Sequence, residues 1–289
     1  MILDFKENLK LGGGPEETKA TWFSKKQISD LGIALIYKNQ YGKKEVSYYN
    51  FFSEILSHDS LYVGDCLKKL FERDEMKSFN KVSIWSDGGN HFRSQEFISF
   101  VFEELYFKQE KKVKINYFAE YHGKSIVDGH FGVISRWLKD MIKTKKIDYM
   151  TELISGLSEK ERIRQEMAEM SFYKDLTSPQ SKFYFLTYDR SCRSKKRTYQ
   201  MEDMKNYLSF FMNDNKLYKS VFSYIKLENY SRINFTKKEE DDKRPTKRSF
   251  TDEDFKHNFK NNKFIGKKSY AIQQTRKKFM SDFHIYMEP

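Results

Sequence analysis

Three aspartates sit where oxygen-ligand chemistry is possible: Asp4 in MILDF, Asp87 in KVSIWSDGGNHFR and Asp128 in HGKSIVDGHFG. Asp87 closes a short apolar run, and two glycines, His91 and Arg93 follow it. Carboxylates drawn to one edge of a sheet repel one another unless cations compensate. Hard divalent cations with oxygen ligands, Mg²⁺ or Mn²⁺, are the natural compensation. Two such ions ~3.5–4 Å apart activate a water or a 3′-hydroxyl and steady the leaving oxygen of a phosphodiester. Each aspartate also has a plainer role. Asp87 can cap the helix that follows, Asp4 can be an exposed residue, and Asp128 can be a first-turn acid facing the helix dipole. The order and spacing of all three together favour the metal-binding role.

The elements that must position them follow from hydrophobic patterning. MILDF (1–5), LGIALIYK (31–38) and EVSYYNFFS (45–53) have the β-branched and aromatic content of strands, the last two joined by a turn at 40–43. Apolar residues at Leu61, Val63, Leu67, Leu70 and Phe71 predict an amphipathic helix over 60–77. KVSIWSD (81–87) is a fourth strand, 95–109 a second helix, VKINYFAEY (113–121) a fifth strand and 128–146 a third helix. The order β-β-β-α-β-α-β-α implies a mixed five-stranded sheet flanked by helices, the order used by ribonuclease H-like folds. In such a sheet the first and fourth strands lie side by side and the third helix crosses them. Asp4, Asp87 and Asp128 then meet at one edge.

After residue 150 the character changes. Residues 1–150 carry net charge +3 and residues 151–289 net +9, so most of the excess charge lies in the C-terminal part. Residues 151–236 are expected to form a mainly helical accessory region, with helices over 151–176 and 201–225 and a strand at 183–191. Residues 237–289 read as a basic linker (KKEEDDKRPTKR) and tail. A pI near 9.3, with 26 Phe and 19 Tyr among 53 Lys and Arg, suits a polyanion partner such as nucleic acid, although an AT-rich genome enriches the same residue types. Cys66 and Cys192 are too few for a disulfide framework or a four-cysteine zinc site. No apolar run approaches the ~20 residues of a membrane span, and the N-terminus lacks a signal-peptide pattern. The expectation is an intracellular protein with no membrane partner, nuclear if the source is eukaryotic.

The blocks DFKENLKL (4–11), TWFSKKQISDLGIALIY (21–37), WSDGGNHFRSQEF (85–97) and NYFAEYHGKSIVDGHFGVISRWLK (116–139) resemble the DDE-type transposase domains of animal DNA transposons. The resemblance covers residues 1 to about 140. Its last block is the most specific, because His122, Gly123, Lys124, Asp128, Gly129 and Gly132 fall at fixed spacing. It implies a ribonuclease H-like (integrase-like) catalytic domain over 1–150, with Asp4, Asp87 and Asp128 as the catalytic, metal-binding triad and two Mg²⁺ or Mn²⁺ ions as cofactors. The implied partners are transposon ends and target DNA, with self-association open. His91, Arg93, His122, Lys124 and Arg136 are the candidates for nucleic-acid contact, and Glu120 is a substitute third acid. The three tryptophans, Trp22, Trp85 and Trp137, suit the core better than a stacking platform. Two rivals stand beside the nuclease: a retired transposase derivative that binds nucleic acid or protein without cutting, and a same-fold nuclease acting on RNA or a junction.

Overall fold

A pleated chain puts alternate side chains on opposite faces, and the first strand uses both. In the computed structural model, which describes residues 1–12, 25–118, 125–170, 181–189, 199–201, 204–222, 231–233 and 236–237, β1 spans Ile2–Lys10. It pairs antiparallel with β2 (Gln27–Lys38), with a register slip between Lys6 and Leu9. A turn in which Gly42 adopts φ 75° joins β2 to β3 (Lys44–Ser53), and ten consecutive pairs zip that hairpin. β4 (Lys81–Ser86) returns parallel to β1, and β5 (Lys112–Tyr117) lies parallel to β4. These five strands stand in the order β3-β2-β1-β4-β5.

Helices cover both faces. α1 (Ser60–Phe71) and α2 (Gln95–Val101, continued by a π-helical turn Phe102–Phe107) pack on Leu3, Leu31, Ile33 and Ile84. α3 (Ile126–Ile142) and α4 (Met150–Met170) cover the other face, where Ile134, Leu138 and Leu153 meet Leu9, Ile28 and Phe52. Asp59 and Ser94 cap α1 and α2, each accepting a backbone N–H in the first turn. The α1–α2 side holds the larger core, with Phe92, Phe97 and Phe102 fully buried; each such ring contributes about 1.5–3 kcal/mol.

Among the described residues the sheet has nine strands, where sequence patterning indicates a five-stranded sheet. β6 (Ser181–Thr187) adds parallel to β3, and β8 (Ser209–Asn213), β9 (Lys216–Ser220) and β10 (Ser231–Ile233) extend the far side beyond β5. β7 (Tyr199–Gln200) and β11 (Thr236–Lys237) make a separate small ladder. The expected helix over 201–225 is therefore corrected to a β-hairpin. Asp214 and Asn215 both adopt left-handed φ, 47° and 57°, the conformation that a two-residue hairpin turn requires. Among the described residues after 150, α4 is followed by strands and one short 3-10 turn (Met204–Asn206), in place of the mainly helical region expected. All described residues belong to one compact unit, Met1–Glu240.

Candidate functional site

The site forms where one row of residues crosses the sheet beneath α3. Ile2 pairs with Trp85 across the parallel β1–β4 ladder, so Asp4, two residues on, lies level with Asp87 at the end of β4. On its other side Asp4 pairs with Gly32, and Gly32 pairs with Asn50. The order Asp87, Asp4, Gly32, Asn50 thus runs across four strands. α3 comes down onto this row at its glycine. A Cβ at Gly32 would lie 2.6 Å from two ring carbons of Phe131 and 2.8 Å from Val127 Cγ1. Those residues bracket Asp128, so the close approach that Gly32 permits delivers the third acid.

Electrostatics registers the convergence. Burial first, then the charges of Asp128 and Asp87, push the Asp4 carboxyl up to about 7. Each outer acid also has a local partner. Asp128 accepts the Ser125 N–H at 2.7 Å, closing a capping box with Ser125 Oγ on the Val127 N–H. Asp87 accepts the Gly89 N–H at 3.0 Å and is half exposed. It does not cap α2, which begins eight residues later and is capped by Ser94 immediately before it. Among the described residues no three His, Cys, Asp or Glu side chains stand close enough to share one ion. The donor set itself, three electrostatically coupled carboxylates, is of the hard-oxygen kind that Mg²⁺ and Mn²⁺ prefer.

The other candidates separate clearly. His91 lies at the same edge, Nε2 4.0 Å from Asp87, its ring edge-on to Phe5. Burial lowers its proton affinity, opposed by Asp87 and reinforced by His58. Arg93 turns inward: it donates to the carbonyls of Lys205 and Tyr207, the latter at 2.8 Å, and lies over the Tyr117 ring. Its guanidinium therefore clamps the segment before β8, where sequence reasoning gave it a phosphate. Arg136 stands exposed on the outer face of α3. Glu120, His122 and Lys124 lie outside the described residues, as do Trp22 and Cys192. Trp85, half-buried, stacks on Phe118, and Trp137, also half-buried, packs against Phe183 at the edge of the α3–α4 core.

A buried polar chain beneath α3 escapes sequence reasoning. Asn50 Nδ2 donates to both oxygens of Asp30 at 2.9 and 3.1 Å, which makes its Oδ1 the acceptor for His130 Nε2 at 2.6 Å. Burial pushes Asp30 up to about 7, against the pull of Asn50 and of Lys6. His130 is driven down to about 3, by burial and then by Arg164, and stays neutral while stacked on Tyr48. The chain fastens the first turns of α3 to β2 and β3 on the side away from the acids. His58, stacked face to face on Phe5 with centroids 4.0 Å apart, is a second residue that sequence spacing does not flag. Only the β1–β2–β3 register brings these residues together.

Residues 1–176 match the family model described as a domain of unknown function, DUF8701. The chain belongs to the DUF8701 family. The matched span holds β1 to β5 and α1 to α4, so Asp4, Asp87, Asp128 and the Asp30–Asn50–His130 chain all lie inside the DUF8701 domain, whereas β6 to β11 follow it. No curated protein matches the chain.

Proposed function

We propose that the DUF8701 domain is a metal-dependent nuclease and strand transferase of DDE transposase–integrase type, built on a ribonuclease H-like core. The observation that carries this reading is the electrostatic coupling of Asp4 to Asp128 and Asp87, set up by adjacent parallel strands in register and by α3 seated on Gly32 beside them. The strand order β3-β2-β1-β4-β5, with β2 antiparallel to its neighbours, supports the fold assignment, and the flanking β6 and β8–β10 are additions to it. Asp4, Asp87 and Asp128 would hold Mg²⁺ or Mn²⁺, two ions being expected. The bound ions supply a Lewis acid and an activated oxygen nucleophile for attack at phosphorus.

The chain's own residues do the rest. Asp4 is raised to about 7 by burial and by its two acidic neighbours, so its carboxylate gains from any cation that replaces their repulsion. Val127 and Phe131 pack over Gly32 and Ala34 and wall the row from the α3 side. His91, held edge-on to Phe5 beside Asp87, is placed to donate a hydrogen bond to a phosphate or leaving oxygen at that edge. DNA, as transposon ends and target, is the proposed substrate, and a nuclear location follows if the source is eukaryotic. Among the described residues no helix is long and apolar enough to cross a membrane.

One observation favours the non-cutting alternative: the Asp128 carboxylate is occupied by the Ser125 N–H. A nicking and strand-transfer assay on supercoiled plasmid with Mg²⁺ and Mn²⁺ decides between them. Metal-dependent cleavage lost in both Asp87→Asn and Asp128→Asn is the expected result. Intact, salt-sensitive DNA binding with no cleavage by any protein would establish the retired, binding-only reading instead.

A further inference from the structure

The outer face of α3 carries a row of cations that starts at the acid site. Counting by three and four along the helix from Gly129, next to Asp128, gives Gly132, Arg136, Lys139 and Lys143, and all five are exposed. Arg136 and Lys139, with Lys145 and Lys160 nearby, have no carboxylate within ion-pair distance among the described residues. Asp140, the acid beside the row, is bound by Lys143 at 2.8 Å, and Lys160 and Arg136 add to the positive field around it. Between α3 and α4 the row borders an open cleft of about 770 Å³, lined by Thr144, Lys145, Ser155 and Lys160 among others. Among the described residues nothing packs over the two glycines, and a Cβ at either would meet no atom within 4 Å. The face is therefore bare beside Asp128 and cationic beyond it.

We propose that the outer face of α3 is the docking surface for double-stranded DNA leading away from the acid site, with Arg136 and Lys139 on successive backbone phosphates. The inference rests on the phosphodiester reading of the three acids and adds the surface that holds the flanking duplex. From Gly129 to Lys143 the helix rises about 21 Å, and with 3.4 Å per nucleotide along a strand this spans about six steps. Arg136 stands about 12 Å along the helix from Asp128, three to four steps from the cut. A rigid rod of cations suits the fixed phosphate spacing of a duplex. Single strands are held by aromatic stacking platforms, and no aromatic residue of α3 is exposed.

The test measures binding of a fluorescent DNA duplex to the full chain in EDTA across a salt series. It compares the native protein with Arg136→Glu/Lys139→Glu, Arg136→Gln/Lys139→Gln and Asp87→Asn, folding being checked by circular dichroism. The charge reversal is expected to weaken binding at least tenfold at low salt. The glutamine pair is expected to flatten the log–log salt slope by about 2, near 0.9 per lost phosphate contact. Asp87→Asn, which removes a negative charge from the phosphate-facing edge, is expected to bind at least as tightly as the native protein. Native-like affinity and slope in both α3 pairs would overturn the surface while leaving the acid site standing. Lost binding in those pairs, with no metal-dependent cleavage by any protein, would keep the surface and remove the nuclease reading. Stronger competition by a single strand or an RNA duplex than by DNA would overturn the choice of ligand, and absence of DNA binding by the native chain would overturn both ideas.

Discussion

Gly32→Ala should cost stability and disturb the acid site through one contact. The added methyl would sit 2.6 Å from Phe131 Cε1 and Cζ and 2.8 Å from Val127 Cγ1, roughly 1 Å inside the 3.5–4.0 Å optimum for carbon contacts. Neither neighbour is the loose end of a long side chain: Val127 is fully buried and Phe131 nearly so. The sheet below is held by ladders on both sides of Gly32, so α3 must yield. Overpacking of this kind costs about 1–3 kcal/mol, which lowers the melting temperature by roughly 3–10 °C in a unit of this size. Scanning calorimetry measures the shift, and calorimetric titration with Mg²⁺ measures the site; affinity should fall at least fivefold because Asp128 moves with the helix. Phe131→Leu in the same background should return part of both losses. An unchanged melting temperature in Gly32→Ala would show that α3 is not wedged against this strand and would refute the argument that Gly32 sets the position of Asp128.

Glycines on the other side of the same helix should behave in the opposite sense. Gly129→Ala and Gly132→Ala place methyls in open space, so each should stabilise the helix by about 0.8–1 kcal/mol; thermal melts that fall in these variants contradict the exposed helical assignment. If α3 docks DNA, the stabilised double variant should bind the duplex more weakly. Asn50→Leu removes the donors from Asp30 and the acceptor from His130 and should cost about 3 kcal/mol or more, whereas His130→Gln, which keeps a donor, should cost less; equal losses would deny the hydrogen-bonded chain. Asp4 supplies the pH dependence. Its folded value near 7 lies above its unfolded value of 3.8, so the metal-free folded state binds more protons than the unfolded one between about pH 4 and 7 and loses stability as pH rises through that window. With the discount for a partly exposed group this amounts to about 1–2 kcal/mol. Asp4→Asn in EDTA should therefore melt higher than the native protein at pH 8, by a margin that shrinks to nothing near pH 4; a margin independent of pH would remove the repulsive cluster.

Much of the core architecture is legible in the sequence because its elements announce themselves by period and punctuation. LGIALIYK and EVSYYNFFS flank a glycine turn, and the helices expected over 60–77 and 128–146 correspond to α1 (Ser60–Phe71) and α3 (Ile126–Ile142). The hairpin Ser209–Ser220 was hidden because FFM is a short apolar run, which periodicity does not separate from a buried helix. The Asp214-Asn215 pair was the available signal for a turn with left-handed φ. β6 was visible as a strand, but no local feature says that FYFLT pairs with β3. At the site, Asp4, Asp87 and Asp128 could be singled out because the alternation of elements implies where their ends meet. The inward contacts of Arg93 were unreadable because its partners, the carbonyls of Lys205 and Tyr207, lie more than a hundred residues away. The Asp30–Asn50–His130 chain was equally unreadable, since its members share a face only through the β2–β3 register and the seating of α3.

The central claim, that three acids from separate elements act as one cation site, is tested most directly by calorimetric titration of Mn²⁺ into the native chain and into Asp4→Asn, Asp87→Asn and Asp128→Asn. Saturable binding by the native protein, weakened at least tenfold by each single substitution, is the predicted result. Absence of binding by the native chain, or affinity that survives any one of the three substitutions, would contradict it.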